Sequence, residues 1–340
     1  MLNRRFILEQ RPIGVPTSDA VVWREEEVRP LQDGEILIKN LLISLDPAIR
    51  GWMDDAPSYL PPIALGEPVR ATTIGRVLES KNPEFSVGDL IIGLNGWEEY
   101  SISTGYIGPN KMGVIEDTFG LPFEYFLSVL GPTGLTAYFG VEDVLKPTEG
   151  QTLLVSAAAG AVGSLVGQIG KIHGAKAVGL AGSEEKCRRL LTDYGFEQAI
   201  NYRSEVDLSI AIKQACPDGV DLYFDNVGGD ILDAALTCMN DFGTIAMCGM
   251  ISQYNDKAPT PGPYNMWQII VKSLRLQGFL VRDYAPRFPE ALQALSQWLN
   301  DGLIKHQDHV VDGIENTLDA FTMLFDGRNQ GKLTVRVAED

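Results

Sequence analysis

Two apolar patterns divide the chain. Over residues 5–125, short apolar runs are punctuated by glycine, proline and Asp-Gly. Examples are Gly34-Glu-Ile-Leu-Ile-Lys-Asn-Leu-Leu-Ile-Ser, Thr73-Ile-Gly-Arg-Val-Leu-Glu-Ser, Phe85-Ser-Val-Gly-Asp-Leu-Ile-Ile-Gly and Trp97-Glu-Glu-Tyr-Ser-Ile. Runs of this kind predict strands joined by tight turns, and so a small barrel or sandwich. From about 126 to 300 the pattern alternates. Strands are expected at 153–156, 177–181, 199–201, 221–225, 243–248 and 274–280, and helices at 133–143, 161–173, 184–194, 206–215, 229–239 and 287–302. Strand–helix alternation predicts a parallel sheet covered by helices. After 303 the chain reads as β again, ending in Gly331-Lys-Leu-Thr-Val-Arg-Val. Three blocks follow: 1–125, 126–302 and 303–340, the last returning to the first. The fold class is α/β, a doubly wound parallel sheet inserted into a mainly β domain.

The first strand of the alternating block ends in Leu153-Leu-Val-Ser-Ala-Ala-Ala-Gly-Ala-Val-Gly163. Gly160 and Gly163 supply the last two glycines of a G-x-G-x-x-G turn, and Ala158 takes the place of the first. Small residues allow the tight turn, the close approach of backbone to phosphate, and helix packing on the sheet. The N–H groups opening the helix, from Ala161 and Val162 onward, would face a pyrophosphate. Val162, Leu165, Val166 and Ile169 give that helix an apolar face. These features predict a Rossmann dinucleotide site.

The end of the next strand selects the dinucleotide. NAD sites usually place Asp or Glu there to hold the ribose 2′-hydroxyl, whereas NADP sites make room for a 2′-phosphate and supply positive charge. Here Gly182 and Ser183 occupy the tip, and Lys186 and Arg189 follow. Glu184 and Glu185 fit the first turn of the next helix, where its dipole favours acids. The expected cofactor is NADPH. The competing reading of Lys186 is a solvated surface lysine.

Length and composition narrow the function. The 340 residues suffice for two domains, and 45% hydrophobic with 21% charged residues permits a buried core. A net charge of −17 argues against nucleic acid and anionic membrane surfaces as partners. It also means that phosphate must be held by a local positive site. No apolar run approaches the roughly 20 residues of a membrane span. Glu9, Gln10 and Arg11 interrupt the start before a signal-peptide core develops, so a cytoplasmic location is expected. Cys187, Cys216, Cys238 and Cys248 are widely spaced and suggest neither disulfides nor a zinc ribbon. His306 and His309 have helical spacing, but nothing nearby completes a ligand set, and no metal is expected.

Asp89-Leu-Ile-Ile-Gly, Gly131-Pro-Thr-Gly-Leu-Thr-Ala-Tyr, Ala158-Ala-Gly-Ala-Val-Gly and Asp225-Asn-Val-Gly-Gly together resemble the medium-chain dehydrogenase/reductase superfamily, nearly end to end. The cysteines, Gly-His-Glu segment and four-cysteine lobe of its zinc alcohol dehydrogenases are missing; Leu65-Gly-Glu-Pro stands where the histidine segment would be. Ser44-Leu-Asp-Pro-Ala-Ile-Arg-Gly, Cys248-Gly-Met-Ile-Ser-Gln-Tyr-Asn and Gly331-Lys-Leu are similar to the zinc-independent alkenal/one oxidoreductases. That branch includes the prostaglandin, plant alkenal and bacterial curcumin reductases.

The resemblance implies that the β domain is GroES-like, that the protein pairs as a homodimer, and that NADPH reduces a carbon–carbon double bond beside a carbonyl. It implies that Gly160, Ala161, Val162 and Gly163 meet the pyrophosphate. Lys186 and Tyr202, beside Ser183, would meet the 2′-phosphate. Asn226, the Cys248–Tyr254 loop (Cys248, Gly249, Ser252, Tyr254), Phe279, Val281 and Asn329 would complete the cofactor contacts. Tyr202 could instead cap a strand, and Asn226 could serve only its turn. In this chemistry hydride adds to the β-carbon, and the enolate needs only hydrogen-bond donors. Tyr254 is the first candidate donor and Tyr59 the second. A tyrosine of ordinary pKa near 10 stays protonated at neutral pH. Plain packing is the competing role for either ring. Arg50 is expected to orient a substrate or brace its wall. Trp52, Met53, Tyr264 and Met266 are candidates for an apolar lining. Alternatives are a quinone reductase, an unusual alcohol dehydrogenase of the superfamily, or a non-catalytic NADPH-binding protein.

Overall fold

The computed structural model describes residues 1–107, 110–258 and 260–340, with Asn110 described in its backbone only. Two units divide the chain: Met1–Leu127 with Asp308–Asp340, and Ser128–Gln307 between them. The expected breaks at 125/126 and 302/303 thus fall two and five residues before those observed.

The first unit is built on strands β1 (Leu2–Leu8), β2 (Val21–Glu27), β3 (Ile36–Leu45), β4 (Arg70–Ser80), β5 (Leu90–Gly96) and β6 (Tyr100–Ser103). The short strands β7 (Tyr106–Ile107), β8 (Asn110–Lys111) and β9 (Gly113–Val114) follow. A five-residue helix, α1 (Ala48–Trp52), separates β3 from β4. Trp97, fully buried, meets Phe6 and Phe321 edge-on within a core of this unit.

The second unit carries strands β10 (Thr152–Val155), β11 (Lys176–Ala181), β12 (Gln198–Asn201), β13 (Val220–Asp225), β14 (Met239–Met247) and β15 (Arg275–Gly278). All pair in parallel, in the order β12-β11-β10-β13-β14-β15. This is the Rossmann strand order, with its switch point between β10 and β13. Helices α2 (Pro132–Phe139), α3 (Gly163–Ile172), α4 (Glu184–Thr192), α5 (Leu208–Ala215), α6 (Gly229–Cys238), α7 (Trp267–Val271) and α8 (Phe288–Asn300) belong to this unit. Every residue of β10 is buried, as a central parallel strand covered on both faces must be.

The chain then returns to the first unit. Strands β16 (Asp308–Asp312) and β17 (Lys332–Arg336) join its sheet, β17 antiparallel to β3, giving the order β16-β17-β3-β4-β5-β9 with β6 also on β3. The buried Lys332 fastens this return, donating to the Leu45 carbonyl and pairing with Asp46.

Four expectations need correction. The tail is not purely β: α9 (Thr317–Asp326) lies between its two strands. The helix expected at 133–143 is α-helical only to Phe139 and continues as a π-helix over Gly140–Leu145. The expected helix 161–173 begins at Gly163, because Ala161 and Val162 still belong to the turn. The helical segment Tyr264–Val271 lay inside no expected element.

Candidate active site

The carboxyl ends of β10, β11, β13 and β14 gather most of the candidate residues of the second unit. The turn after β10 is shaped by close approach. A Cβ on Gly163 would lie 2.5 Å from the Ala157 carbonyl oxygen and 2.8 Å from Ala158 Cα, so only glycine lets α3 begin there. Ala157 itself sits in the left-handed region, at φ 48°. No side chain caps α3. The two helices that follow differ, Ser183 capping α4 by accepting from Lys186 N–H and Asp207 capping α5, while α2 and α6 have no side-chain cap either. The first N–H groups of a helix lack intrahelical partners. Gly160 N–H donates to the Ala157 carbonyl at 2.9 Å, and the N–H groups of Ala161–Gly163 are left for an anionic ligand, which the positive end of the helix favours.

At the tip of β11 a side chain would have to move Tyr202 and Arg203 aside. A Cβ on Gly182 would lie 2.9 Å from Tyr202 Oη and 3.3 Å from Arg203 Nε. The position where an acid would read a ribose diol is therefore flanked by the tyrosine and the arginine. Ser183 Oγ accepts from Lys186 N–H at 3.2 Å, which leaves its hydroxyl proton to donate. Glu184 and Glu185 occupy the first turn of α4. Arg189 is buried and donates to Gln307 Oε1 at 2.5 Å, so it serves packing within the unit.

The loops after β13 and β14 are stitched into one piece. Asp225, fully buried, accepts from Tyr223 Oη (2.7 Å), Ser156 Oγ (2.9 Å) and the N–H groups of Val227 (3.0 Å) and Gly228 (3.1 Å). Its carbonyl accepts from Cys248 N–H (2.8 Å) and Gly249 N–H (3.1 Å). Asn226 Nδ2 donates to the Ser156 carbonyl at 2.8 Å, and the Asn226 carbonyl accepts from Ile251 N–H. Ser252 Oγ donates to the Val227 carbonyl at 2.6 Å. Tyr254 folds back over this loop. Its hydroxyl oxygen accepts from Met250 N–H at 3.2 Å and would lie 3.1 Å from a Cβ on Gly249. Burial raises the Tyr254 pKa above the ordinary tyrosine value. Burial, then the Asp225 carboxylate, pushes the Cys248 thiol up to about 12, which makes it a poor nucleophile. Phe279 meets Phe224 edge-on at 6.1 Å, and Val281 opens the following turn.

Other candidates belong to segments outside these loops. Tyr264 is 85% exposed. In the first unit Tyr59 meets Trp52 edge-on at 6.0 Å, while Trp52 and Met53 are buried in the core. Arg50 is buried and donates to the carbonyls of Gly14 (2.9 Å) and Pro12 (3.0 Å) and to Asp54 (2.7 Å). These bonds tie α1 to the backbone of residues 12–14. Asn329 donates to the Gly331 carbonyl at 3.0 Å. His306 and His309 share no helix. His306 lies in a loop, and His309 in β16 accepts from Gln330 N–H.

Sequence reasoning missed Arg203 and the Ser156–Asp225 pair. Arg203 left a trace, a cation adjacent to an expected phosphate contact. The Ser156–Asp225 pair, 69 residues apart in the chain, left none.

Residues 4–108 match a family model described as the N-terminal domain of oxidoreductase, and residues 161–297 match one described as zinc-binding dehydrogenase. The residues present do not fit zinc: among the described residues, no group of three or more His, Cys, Asp or Glu could hold a metal ion. The chain is 39% identical to the NADPH-dependent curcumin reductase of Escherichia coli (strain K12), over 99% of this chain and 98% of that protein. It is 41% identical to the 2-alkenal reductase (NADP(+)-dependent) of Nicotiana tabacum, with the same coverages. The crystal structure of CurA in complex with NADPH from Vibrio vulnificus matches with a TM-score of 0.91 at 38% identity, over 99% of this chain and 100% of that one. The chain belongs to the medium-chain dehydrogenase/reductase family, in its zinc-independent alkenal/one oxidoreductase branch.

Proposed function

We propose that the protein is an NADPH-dependent reductase of the carbon–carbon double bond in α,β-unsaturated aldehydes and ketones. The observation that carries this reading is the neutral tip of β11, flanked by Tyr202 and Arg203, beside a helix with no side-chain cap where a pyrophosphate would sit. The curcumin and alkenal reductases to which the chain is similar supply the substrate class.

Bound NADPH supplies a hydride for the β-carbon of the substrate. The chain does the rest. The backbone of Gly160–Gly163 holds the pyrophosphate, and Ser183, Lys186 and Tyr202 hold the 2′-phosphate. Asn226, Cys248, Gly249, Ser252, Phe279 and Val281 border the nicotinamide half, positioned by the bonds to Asp225 and Ser156. Asn329 is assigned a cofactor contact on family likeness. As the double bond is reduced, negative charge collects on the carbonyl oxygen, and a preorganised donor there lowers the barrier. Tyr254 is that donor: its oxygen already accepts from Met250 N–H, which leaves its proton free to give. Tyr59 is the second candidate, on the substrate side.

The open edge of the Rossmann sheet supports a homodimer. β15 ends the strand order, and Tyr264, Trp267, Ile270 and Val271 beside it in sequence are exposed. An unpaired edge flanked by apolar side chains invites pairing with a second copy. A cytoplasmic location belongs to the same reading, supported by four free cysteines, three of them buried. Among the described residues, no helix is long and apolar enough to cross a membrane.

The test is a panel of NADPH and NADH against 2-nonenal, 3-nonen-2-one, curcumin and a naphthoquinone. The expected result is NADPH-dependent turnover of the enal and enones. Turnover of the naphthoquinone alone assigns the protein to quinone reduction instead, and no turnover of any substrate leaves a binding protein.

A further inference from the structure

Arg203 has no part in the assignment above, yet it stands where a dinucleotide site discriminates. It follows Tyr202 in the turn leaving β12. Its Nε would lie 3.3 Å from a Cβ on Gly182, so the guanidinium lies against the tip of β11, alongside the Tyr202 hydroxyl. Asn201 fixes the turn. Its Oδ1 accepts from Arg203 N–H at 3.2 Å, and its carbonyl accepts from Ser204 N–H and Ser204 Oγ, each at 3.0 Å. The same side chain donates from Nδ2 to Glu184 Oε1 at 2.7 Å. Glu184 directly follows Ser183 and is the nearest acid in sequence to the strand tip. Asn201 thus engages that carboxylate while holding the arginine turn in place.

Charge adds weight. A dinucleotide phosphate approaches a chain of net charge −17, so nearby cations must outweigh a repulsive field. Lysine offers a point charge on a flexible stem, whereas a guanidinium offers a planar fork that matches two phosphate oxygens. In NADP sites an arginine near this strand tip takes the 2′-phosphate. We propose that Arg203 determines NADPH preference by pairing with the 2′-phosphate, and that Asn201 is its positioning residue. This inference rests on the NADPH reading above.

The experiment is calorimetric titration of the full-length protein with 2′,5′-ADP and 5′-ADP, in the wild type and in Arg203→Ala, Arg203→Lys and Asn201→Ala. Arg203→Ala is expected to weaken 2′,5′-ADP about 10- to 100-fold, the range for loss of one charge-assisted hydrogen bond, and to leave 5′-ADP within about twofold. Arg203→Lys should recover part of the loss, and Asn201→Ala should lose less than Arg203→Ala, with the same selectivity for the phosphorylated ligand. Unchanged 2′,5′-ADP binding in Arg203→Ala, or an equal loss for both ligands, overturns the assignment. The 5′-ADP arm reports on misfolding. No enone is present, so failure of the proposed reaction and failure of this inference are read separately.

Discussion

In the proposed reaction Tyr254 is the donor, and its environment sets the expected pH behaviour. Burial raises its pKa, so the neutral donor form persists as pH rises past the ordinary tyrosine value near 10. The enone turnover number should therefore stay flat from about pH 6 to pH 9 as far as Tyr254 controls it. A falling limb near pH 8 that vanishes in Tyr254→Phe would contradict this. Tyr254→Phe should lower the turnover number about 10- to 100-fold, the range for removing one donor or proton-transfer group, and leave NADPH affinity within about twofold. Stopped-flow turnover and fluorescence titration separate the two. An affinity loss as large as the rate loss would make the ring a loop-packing residue. Gly182 gives a second residue-scale prediction. Gly182→Asp must displace Tyr202 and Arg203, so it should weaken NADP+ binding without creating a good NAD+ site. A clean switch to NAD+ would show that the two side chains yield easily.

Among the elements, the turn into α3 reverses an ordinary propensity. Alanine is usually better than glycine in a helix by about 1 kcal/mol. At Gly163 the added methyl would meet the Ala157 carbonyl and Ala158 Cα, both of them backbone. Gly163→Ala should therefore destabilise, by roughly 1–3 kcal/mol, and calorimetry should show a lower Tm together with weaker NADPH binding. A raised Tm would mean that the turn relaxes at no cost. The strand–turn–helix order around this site was legible because fully apolar strands and a one-sided helix repeat at regular spacing, as in Leu153–Val155 and Val162–Ile169. The helix Thr317–Asp326 was not legible. Leu318, Phe321, Met323, Leu324 and Phe325 all pack against one core, so its apolar residues are nearly continuous and its period is blurred. Residues 264–271 failed for the opposite reason: most of their apolar side chains are exposed, Ile269 packing inward, and periodicity reports a buried face. In the site, glycines and the missing acid could be read locally. The Ser156–Asp225 bond and the Arg203–Gly182 proximity arise only when separate strands are laid side by side.

For the whole molecule, the sheet edge and the reaction make separate claims. Ile270→Glu places a charge on the exposed segment before β15, and light scattering is expected to report a dimer for the wild type and a monomer for the variant. A wild type that is monomeric, or a variant that stays dimeric, removes this edge from the assembly. The reaction itself is tested most directly by where the hydride goes. With NADPH deuterated at the transferable position and 3-nonen-2-one as substrate, the product should be nonan-2-one carrying deuterium at its β-carbon, C4, identified by NMR and mass spectrometry. Deuterium on the carbinol carbon of an allylic alcohol would contradict the account, because the protein would then be reducing the carbonyl rather than the double bond.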